Sequence, residues 1–414
     1  MNSTCLLIRS ISFTLALLIV TPASGQLNFN FFDAAGNPAA GNVAPNILAG
    51  FQAAGQRWSG IFDDNITVNL QLDFAAIPAV PAVPSPTVGP SPITLAQTAP
   101  NLIDSTAELG GIFPSFSLLK NQLALDQTSA NDAIAVNNLP VGNLTTGSAA
   151  VTEAFSFLTN DRSGTASLDN DTSLGNGDFS AINNSLFAIT SANARALGLI
   201  NANDANIDAT ITVNSGVNFD FDPSDGIAAN AIDFVGIATH EIGHALGFVS
   251  GVDTIDARSG PTNGQIVIPG AAVANPTDFD QFPLFSTLDL FRRSNDAFAL
   301  DPDALDLSTN PNSDVFFSID GVLGDGNDIL LETGEFNGTG FQASHFGEVA
   351  GASLGILDPV AAPGELLAIS QNDILAFDVI GFDLIDTSAV PEPNLMLGLA
   401  AIGFASAFRR RRRA

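Results

Sequence analysis

The feature that most constrains this chain is a run of five residues beyond its middle, His240-Glu241-Ile242-Gly243-His244. Apolar residues recur around it at helical spacing, and Gly247 stands where a helix would end. Histidines four residues apart project from the same face of a helix, so both imidazoles can bind one metal ion. The pattern therefore predicts a helix at residues 230–248 that holds a zinc ion through His240 and His244.

The glutamate inside this run predicts a catalytic role for the metal. The chain has only three histidines among 414 residues, so the pattern rarely arises by chance. Next to the first ligand, the carboxylate of Glu241 can reach a water molecule on the metal without binding the metal itself. Zinc lowers the pKa of such a water, and Glu241 can take its proton as the water attacks a peptide carbonyl. Glu241 is therefore predicted to be the catalytic base.

A third zinc ligand is needed, because catalytic zinc usually takes three protein ligands and leaves a fourth position to water. Six residues after the second histidine stands Ser250, a poor zinc ligand. No further glutamate follows before Glu332. Three candidates remain, namely Asp253, Asp256 and the last histidine, His345.

The helix motif, continued to Gly247-Phe248, and the later segment Ser344-His345-Phe346 resemble the leishmanolysin-type zinc peptidases, in which a long insertion separates the helix glycine from a third histidine. The chain is also similar to bacterial metallopeptidases that carry a PEP-CTERM sorting signal and a Gln-Ala-Ser-His segment. The resemblance implies that His345 is the third zinc ligand. It also implies that Leu357-Asp358-Pro359 takes the place of the Met-turn beneath the metal, with Leu357 instead of the methionine.

The same resemblance implies a fold and a substrate. The fold would be α+β of the zincin type, metzincin-like, with a twisted mixed sheet. An upper subdomain of about residues 26–250 would carry this sheet and the helix with the two histidines. An insertion and a lower subdomain, about 251–387, would close the cleft, so that 26–387 form one metallopeptidase domain. The substrate would be a protein or peptide, cleaved by an endopeptidase.

Hydrophobic patterns predict the remaining elements. They are helices at 46–62, 113–125, 132–138, 183–199 and 372–382, and strands at 66–74 and 207–213. The stretch 75–100 is rich in proline and is predicted to be a surface loop or polyproline segment that binds no ligand, and 249–341 is rich in loop-forming residues. The strand at 207–213 is either an edge against which a peptide could pair or an ordinary sheet strand.

Composition limits the other groups that such a site can use. The chain has no tyrosine and no histidine beyond the three candidate ligands, so the usual side chains that stabilise an oxyanion are missing. Arg292 or Arg293 could serve, although ordinary surface or ion-pairing roles are favoured for both. The acidic loop at 325–328 suggests calcium as a second bound ion, but its spacing matches no complete calcium loop, which favours a solvated loop.

Both ends of the chain have the composition of export signals. Residues 1–25 join an apolar stretch to small residues, as in a signal peptide read by the Sec machinery, with a buried N-terminal helix as the alternative. Residues 388–414 combine Pro391-Glu392-Pro393, a short apolar segment and five arginines, and resemble the PEP-CTERM sorting signal of Gram-negative bacteria. This implies recognition by an exosortase, removal of the tail, only transient membrane contact, and a secreted protein at the outer surface or in the extracellular matrix. A permanent inner-membrane anchor is the alternative.

Charge and cysteine usage narrow the functional classes. With 43 acidic and 13 basic residues, and a net charge of −30, the chain would repel nucleic acid and anionic lipid, which excludes both as partners of the folded body. The only cysteine, Cys5, lies in the predicted signal peptide, so the exported protein would have no disulfide. The alternative to an enzyme is a non-catalytic surface or matrix protein with a structural or degenerate zinc site, but structural sites normally have four protein ligands.

Overall fold

The computed structural model describes residues 25–77, 93–103, 113–142, 153–160, 166–169, 184–258, 266–268, 271–273, 283–349 and 352–386. The predicted signal peptide, apart from Gly25, and the predicted sorting signal lie outside the described residues, as does most of the proline-rich stretch. Within the described ranges the chain has eight α-helices and several separate sheets, which confirms the α+β class. No helix in these ranges is both long and apolar enough to span a bilayer.

The elements of the described ranges are numbered in chain order. The helices are α1 (Pro45–Ser59), α2 (Phe116–Leu125), α3 (Ala130–Asn137), α4 (Ser191–Ala196), α5 (Phe234–Leu246), α6 (Val252–Arg258), α7 (Asn295–Leu300) and α8 (Gln371–Val379). The strands are β1 (Asn28–Phe32), β2 (Thr67–Ala75), β3 (Ala96–Pro100), β4 (Phe157–Asn160), β5 (Ala166–Asp169), β6 (Ala209–Asn214), β7 (Phe219–Asp220), β8 (Ile232–Asp233), β9 (Ile266–Ile268), β10 (Ala271–Val273), β11 (Arg292–Arg293), β12 (Leu305–Leu307), β13 (Val315–Phe317) and β14 (Ile329–Leu331). The helix that carries the two histidines is α5.

The largest sheet of the described residues has four strands in the order β1-β2-β6-β3 and packs against α5. Strands β1, β2 and β6 run parallel, whereas β3 runs antiparallel to β6, with Thr98 opposite Ile211. The sheet is mixed, as predicted. However, β6 lies inside it, so the interpretation of residues 207–213 as an open edge for a peptide is wrong. The edge next to α5 is β3.

Strand β3 also corrects the prediction for the proline-rich stretch, since residues 96–100 form a strand and not a loop. Its sequence hides it, because Ala96-Gln97-Thr98-Ala99-Pro100 has little hydrophobic signal and ends in proline. An edge strand tolerates both features, because only one of its sides must supply ladder hydrogen bonds.

The predicted helices are largely confirmed, with one exception. Helices α1, α2, α3 and α8 overlap their predicted ranges closely. The helix predicted at 183–199 is limited to α4, because Thr190 caps its N-terminus by accepting the N–H of Asn193. Before this cap, Leu186 forms an isolated bridge with Ser115. The stretch 249–341, predicted as loop-rich, contains the short elements α6, α7 and β9 to β14.

One hydrophobic core joins segments that are far apart in sequence. Helix α1 packs along α5, where Trp58 Nε1 donates a hydrogen bond to the Thr239 carbonyl at 3.0 Å. The ring of Trp58 also meets Phe377 of α8 edge-on, at 4.7 Å between centroids. Strand β12 pairs in parallel with β4. The described residues on both sides of the predicted subdomain boundary near 250 therefore share this core.

Candidate metal centre

Helix α5 is fixed at both ends. At its start, Asp233 Oδ1 accepts the N–H of Gly236 at 2.9 Å, and Oδ2 accepts that of Leu367 at 3.2 Å. At its end, Gly247 has φ 135°, a conformation that favours glycine. The helix thus begins later than predicted and ends at the predicted glycine. Every residue of α5 except His240 is buried, and His240 is partly exposed.

The three histidines of the chain come together at one point. His240 Nε2 lies 3.0 Å from His244 Nε2 and 3.3 Å from His345 Nε2, although His345 is more than a hundred residues away in sequence. Zinc–nitrogen bonds of 2.0–2.1 Å in tetrahedral geometry separate two ligand nitrogens by about 3.3–3.4 Å. The two distances from His240 Nε2 are close to this separation, and the ligand atoms of all three histidines lie within 4.8 Å of one another, as a shared tetrahedral site requires.

The opposite nitrogen of each ring shows which atom is available to a metal. His240 Nδ1 lies 2.7 Å from the Ile356 carbonyl, His244 Nδ1 lies 2.7 Å from that of Phe248, and His345 Nδ1 lies 3.1 Å from that of Gln342. A carbonyl can only accept, so each Nδ1 carries the proton and donates. The three Nε2 lone pairs therefore point at a shared position.

Electrostatics favour a cation at that position. A hydrogen bond between two Nε2 atoms would need a proton on one of them, and that ring would then be an imidazolium. Burial opposes this charge, because it lowers the pKa of His240 to about 4 and that of His244 to about 3, and lowers the pKa of His345 well below its usual value. Three neutral imidazoles are a suitable donor set for zinc.

Glu241 lies one residue beyond the first ligand, and its side chain is 4% exposed. Its carboxylate is held by strand β3, where Thr98 Oγ1 lies 2.5 Å from Oε2 and 3.0 Å from the Glu241 carbonyl. Burial raises the pKa of Glu241 to about 7, against the lowering effect of the Thr98 hydrogen bond. Thr98 is not among the site residues predicted from sequence, because its segment has no strand pattern.

A turn beneath the histidines forms the floor of the site. It includes Ile356, whose carbonyl accepts the hydrogen bond from His240, and Leu357, which is fully buried. A methyl group on Gly243 would lie 3.1 Å from Leu357 Cδ2, so the helix and the turn are in close contact. Leu357 thus packs against α5, and the likeness of this turn to the Met-turn stays a prediction.

The other candidate ligands take different roles. Asp253 accepts the N–H groups of Ala343 at 2.5 Å and Ser344 at 3.2 Å, and also the Ser344 hydroxyl. Asp256 accepts the N–H groups of Phe336 and Asn337, both at 2.7 Å. Neither carboxylate joins the histidine group. The structure therefore brings His345 to the pair, and Asp253 holds the segment that carries it.

Ser250, at the position where a nearby third ligand would stand, belongs to the same support. Its N–H donates to Ser344 Oγ at 2.9 Å, and its hydroxyl donates to Asp289 Oδ1 at 2.5 Å. Asp289 is completely buried, and its other oxygen accepts the N–H of Gly251 at 2.9 Å. No local sequence pattern indicates this network, because its partners lie 38 or more residues apart.

Arg292 and Arg293 are buried and are not surface residues. Arg292 donates to the carbonyls of Ala343 at 3.0 Å and Glu332 at 2.9 Å, with Asp289 at 4.0 Å. Arg293 donates to the Asn138 carbonyl at 2.8 Å. Neither side chain lines the groove around the histidines. The suggestion that they stabilise an oxyanion is therefore wrong, and Arg292 instead supports the backbone near His345.

The histidines and Glu241 lie in a groove of about 720 Å³. One wall is the edge strand β3 together with the residues before it, from Ile93 onward, which corrects the prediction that the proline-rich stretch takes no part in a binding site. The opposite wall includes Ile356 and its neighbours Gly355, Asp358 and Pro359, and Glu335 and Glu365 also line the groove. No lysine or arginine is among the described lining residues.

The loop considered for calcium is exposed, and its carboxylates bind backbone of the same loop. Asp325 accepts the N–H of Asn327 at 2.8 Å, and Asp328 accepts that of Gly324 at 2.6 Å. In the described part of the chain, the three histidines are the only group of metal-ligating side chains that converges. Calcium binding stays a prediction that no contact supports.

Comparisons of the chain with protein-family models, with characterised proteins and with solved structures found no match. The likeness to leishmanolysin-type peptidases therefore stays a prediction from two short motifs. The function has to be inferred from the residues of the groove.

Proposed function

We propose that this protein is a zinc-dependent endopeptidase. The observation that carries the proposal is the convergence of the three Nε2 atoms of His240, His244 and His345 in an open groove beside the carboxylate of Glu241. Three protein ligands at one corner of a groove are typical of catalytic zinc, which keeps a position for water or substrate.

The three histidines would hold the ion, and Glu241 would move the proton. Zinc supplies Lewis acidity, which polarises a substrate carbonyl and makes water a better nucleophile at neutral pH. Glu241 accepts the proton of the attacking water and then delivers it to the leaving amine. Each peptide bond cleaved thus consumes one water and leaves one new carboxyl group and one new amino group, with Glu241 returned to its starting state.

The groove suits an extended peptide. The outer side of β3 faces no other strand in the described sheet, because β3 is the last strand in the order β1-β2-β6-β3. Its backbone N–H and C=O groups are available to a peptide that pairs as an additional strand. Such pairing would lay the scissile bond across the histidine group and would position it without any side-chain recognition.

Stabilisation of the developing oxyanion would come from the ion and from backbone N–H groups. The chain contains no tyrosine, all three histidines would serve as ligands, and the described groove has no lysine or arginine. The side chains that often stabilise the oxyanion in such sites are therefore missing. We therefore expect a modest turnover number and a strong dependence on bound metal.

A structural zinc site in a non-catalytic matrix protein is less well supported. A structural ion is normally enclosed by four protein ligands, whereas only three such groups converge within the described residues, and they do so in a groove. Export by the Sec machinery, sorting by an exosortase and location at the outer surface or in the matrix stay predictions from the two ends of the chain.

The test compares purified, zinc-loaded wild type with Glu241→Ala. Wild type should hydrolyse casein, and Glu241→Ala should lose nearly all activity while it keeps an equal zinc content, because Glu241 does not bind the ion. Asp325→Asn, which changes an exposed loop carboxylate outside the groove, should match the wild type. Equal hydrolysis by wild type and Glu241→Ala at equal zinc content would rule out the proposed role.

A further inference from the structure

Thr98 stands between the edge strand of the groove and Glu241. In β3 the side chains alternate, with Ala96, Thr98 and Pro100 partly buried and Gln97 and Ala99 exposed. Alternate residues of a strand point to the same face. Thr98 is opposite the fully buried Ile211 of β6, so its side chain lies on the side of the sheet that packs against α5.

The hydroxyl of Thr98 is placed to fix one oxygen of the Glu241 carboxylate. Oγ1 lies 2.5 Å from Oε2 and 3.0 Å from the Glu241 carbonyl. A hydroxyl has one proton to donate. The Glu241 carbonyl is inside α5 and already accepts a helical hydrogen bond. The shorter contact, to a carboxylate oxygen, is therefore the one that receives the proton.

The second carboxylate oxygen is left for the reaction. Among the described residues, Thr98 is the only donor to the Glu241 carboxylate, and it bonds Oε2 alone. A glutamate side chain that is free to rotate would populate orientations in which its carboxylate cannot reach the attacking water. A hydrogen bond at Oε2 removes that freedom, and Oε1 keeps its lone pairs for the proton of the water.

We propose that Thr98 is a positioning residue, which orients the general base through a hydroxyl on the strand that receives the substrate. The proposal rests on the proposed peptidase function for its kinetic consequence, but the orientation itself is a property of the protein alone. It assigns to β3 a second role beside backbone pairing, because the same strand would align the peptide and the base relative to each other.

The test compares two variants of Thr98 with the wild type. Thr98→Val removes the hydroxyl and keeps the shape, whereas Thr98→Ser keeps the hydroxyl and removes a methyl group. Hydrogen bonds to charged groups are strong enough that Thr98→Val should lower kcat by about 10- to 100-fold. KM should change by less than about twofold, because the interaction serves the reacting water and not peptide binding. Thr98→Ser should recover kcat to within about threefold of wild type.

The control is Thr212→Val on the neighbouring strand β6, whose side chain lies on the opposite face of the sheet from Thr98 and outside the groove. It should leave kcat and KM unchanged. If Thr98→Val does not fold, Thr98→Ala against Thr98→Ser gives the same contrast, since these two differ only in the hydroxyl. Equal kcat in the Ala and Ser variants, or a kcat of Thr98→Val within threefold of wild type, would overturn the proposal.

Crystal structures of wild type and both variants give a readout that does not depend on activity. The Glu241 carboxylate should keep its position in Thr98→Ser and leave it in Thr98→Val. A carboxylate that stays in place in Thr98→Val would refute the positioning role, whether or not the protein is active. A wild type that hydrolyses no peptide would instead refute the proposed function, and the position of Glu241 would still decide the role of Thr98.

Discussion

Asp253 offers a quantitative test of how the third histidine is held. Its carboxylate accepts two backbone N–H groups and one hydroxyl from Ala343 and Ser344, directly before His345. In Asp253→Asn one acceptor oxygen becomes an NH₂ group that faces these donors. At least one buried donor then loses its partner, which costs about 1–3 kcal/mol.

Asp253→Asn should lower both the zinc affinity and the thermal stability of the protein. Loss of a group that orients a metal ligand typically weakens binding about 10- to 100-fold. Since the unfolding entropy is about 2.1 cal/mol/K per residue, a cost of about 2 kcal/mol in a chain of this length should lower the melting temperature by about 2–3 °C. Zinc affinity can be measured by competition with a chromophoric chelator, and the melting temperature by circular dichroism. His345→Ala, which removes the ligand itself, should lose the bound zinc almost completely.

Asp256→Asn is the matched control. Asp256 lies on the same helix, α6, and also accepts two backbone N–H groups, but these belong to Phe336 and Asn337 and not to the segment before His345. It should lower the melting temperature by a comparable amount and leave zinc affinity within about threefold of wild type. Wild-type zinc affinity in Asp253→Asn, or an equal loss in both variants, would refute the proposed support of His345.

Three further outcomes are expected. Leu357→Met should cost less than about 1.5 kcal/mol in urea unfolding, whereas Leu357→Ala should cost about 2–5 kcal/mol and weaken zinc binding, because Leu357 is fully buried against α5. Removal of the ion with a chelator should lower the melting temperature of wild type but not of His345→Ala, since an ion at a thousandfold excess over its Kd stabilises the fold by about 4 kcal/mol. Burial raises the pKa of Asp64 from 3.8 to about 8, so its contribution to stability is complete below pH 4 and is lost as the pH rises through 8. Asp64→Asn should therefore flatten the fall in stability between pH 5 and 8, measured by urea unfolding, whereas the exposed Asp325→Asn should not.

The centre of the site could be predicted from sequence because it depends on local spacing. Two histidines four residues apart on a helix can bind the same ion because their side chains project from the same face. A glycine directly after the last turn marks the end of that helix. His345 could be reached only by resemblance and by the scarcity of histidines. Residue spacing alone did not decide between Asp253 and His345 as the third ligand. A segment of about a hundred residues can bring many of its side chains next to the helix, because the entropy cost of loop closure grows only slowly with length.

The two walls of the groove could not be predicted in the same way. Strand β3 contributes backbone groups, so its sequence needs no hydrophobic alternation and even tolerates Pro100. The interior position of β6 depends on β3 being present, because without β3 the sheet would end at β6. One missed edge strand thus made the loop prediction wrong at residues 96–100, and of the two interpretations of 207–213 it excludes the open edge and leaves the ordinary sheet strand.

The buried aspartates suggest how an acidic chain with a single cysteine, which can form no internal disulfide, keeps such a site rigid. Asp233 begins the helix with His240 and His244, Asp253 holds the segment before His345, and Asp373 accepts the N–H groups of Ile356 at 2.8 Å and Leu357 at 3.2 Å in the floor. Each of the three segments around the histidine group is thus held by a carboxylate that accepts backbone hydrogen bonds. These bonds offset the cost of burying the carboxylate, and a short side chain loses less entropy than a glutamate would. These three aspartates therefore have a structural role in the core, in addition to their contribution to the net negative charge of the chain.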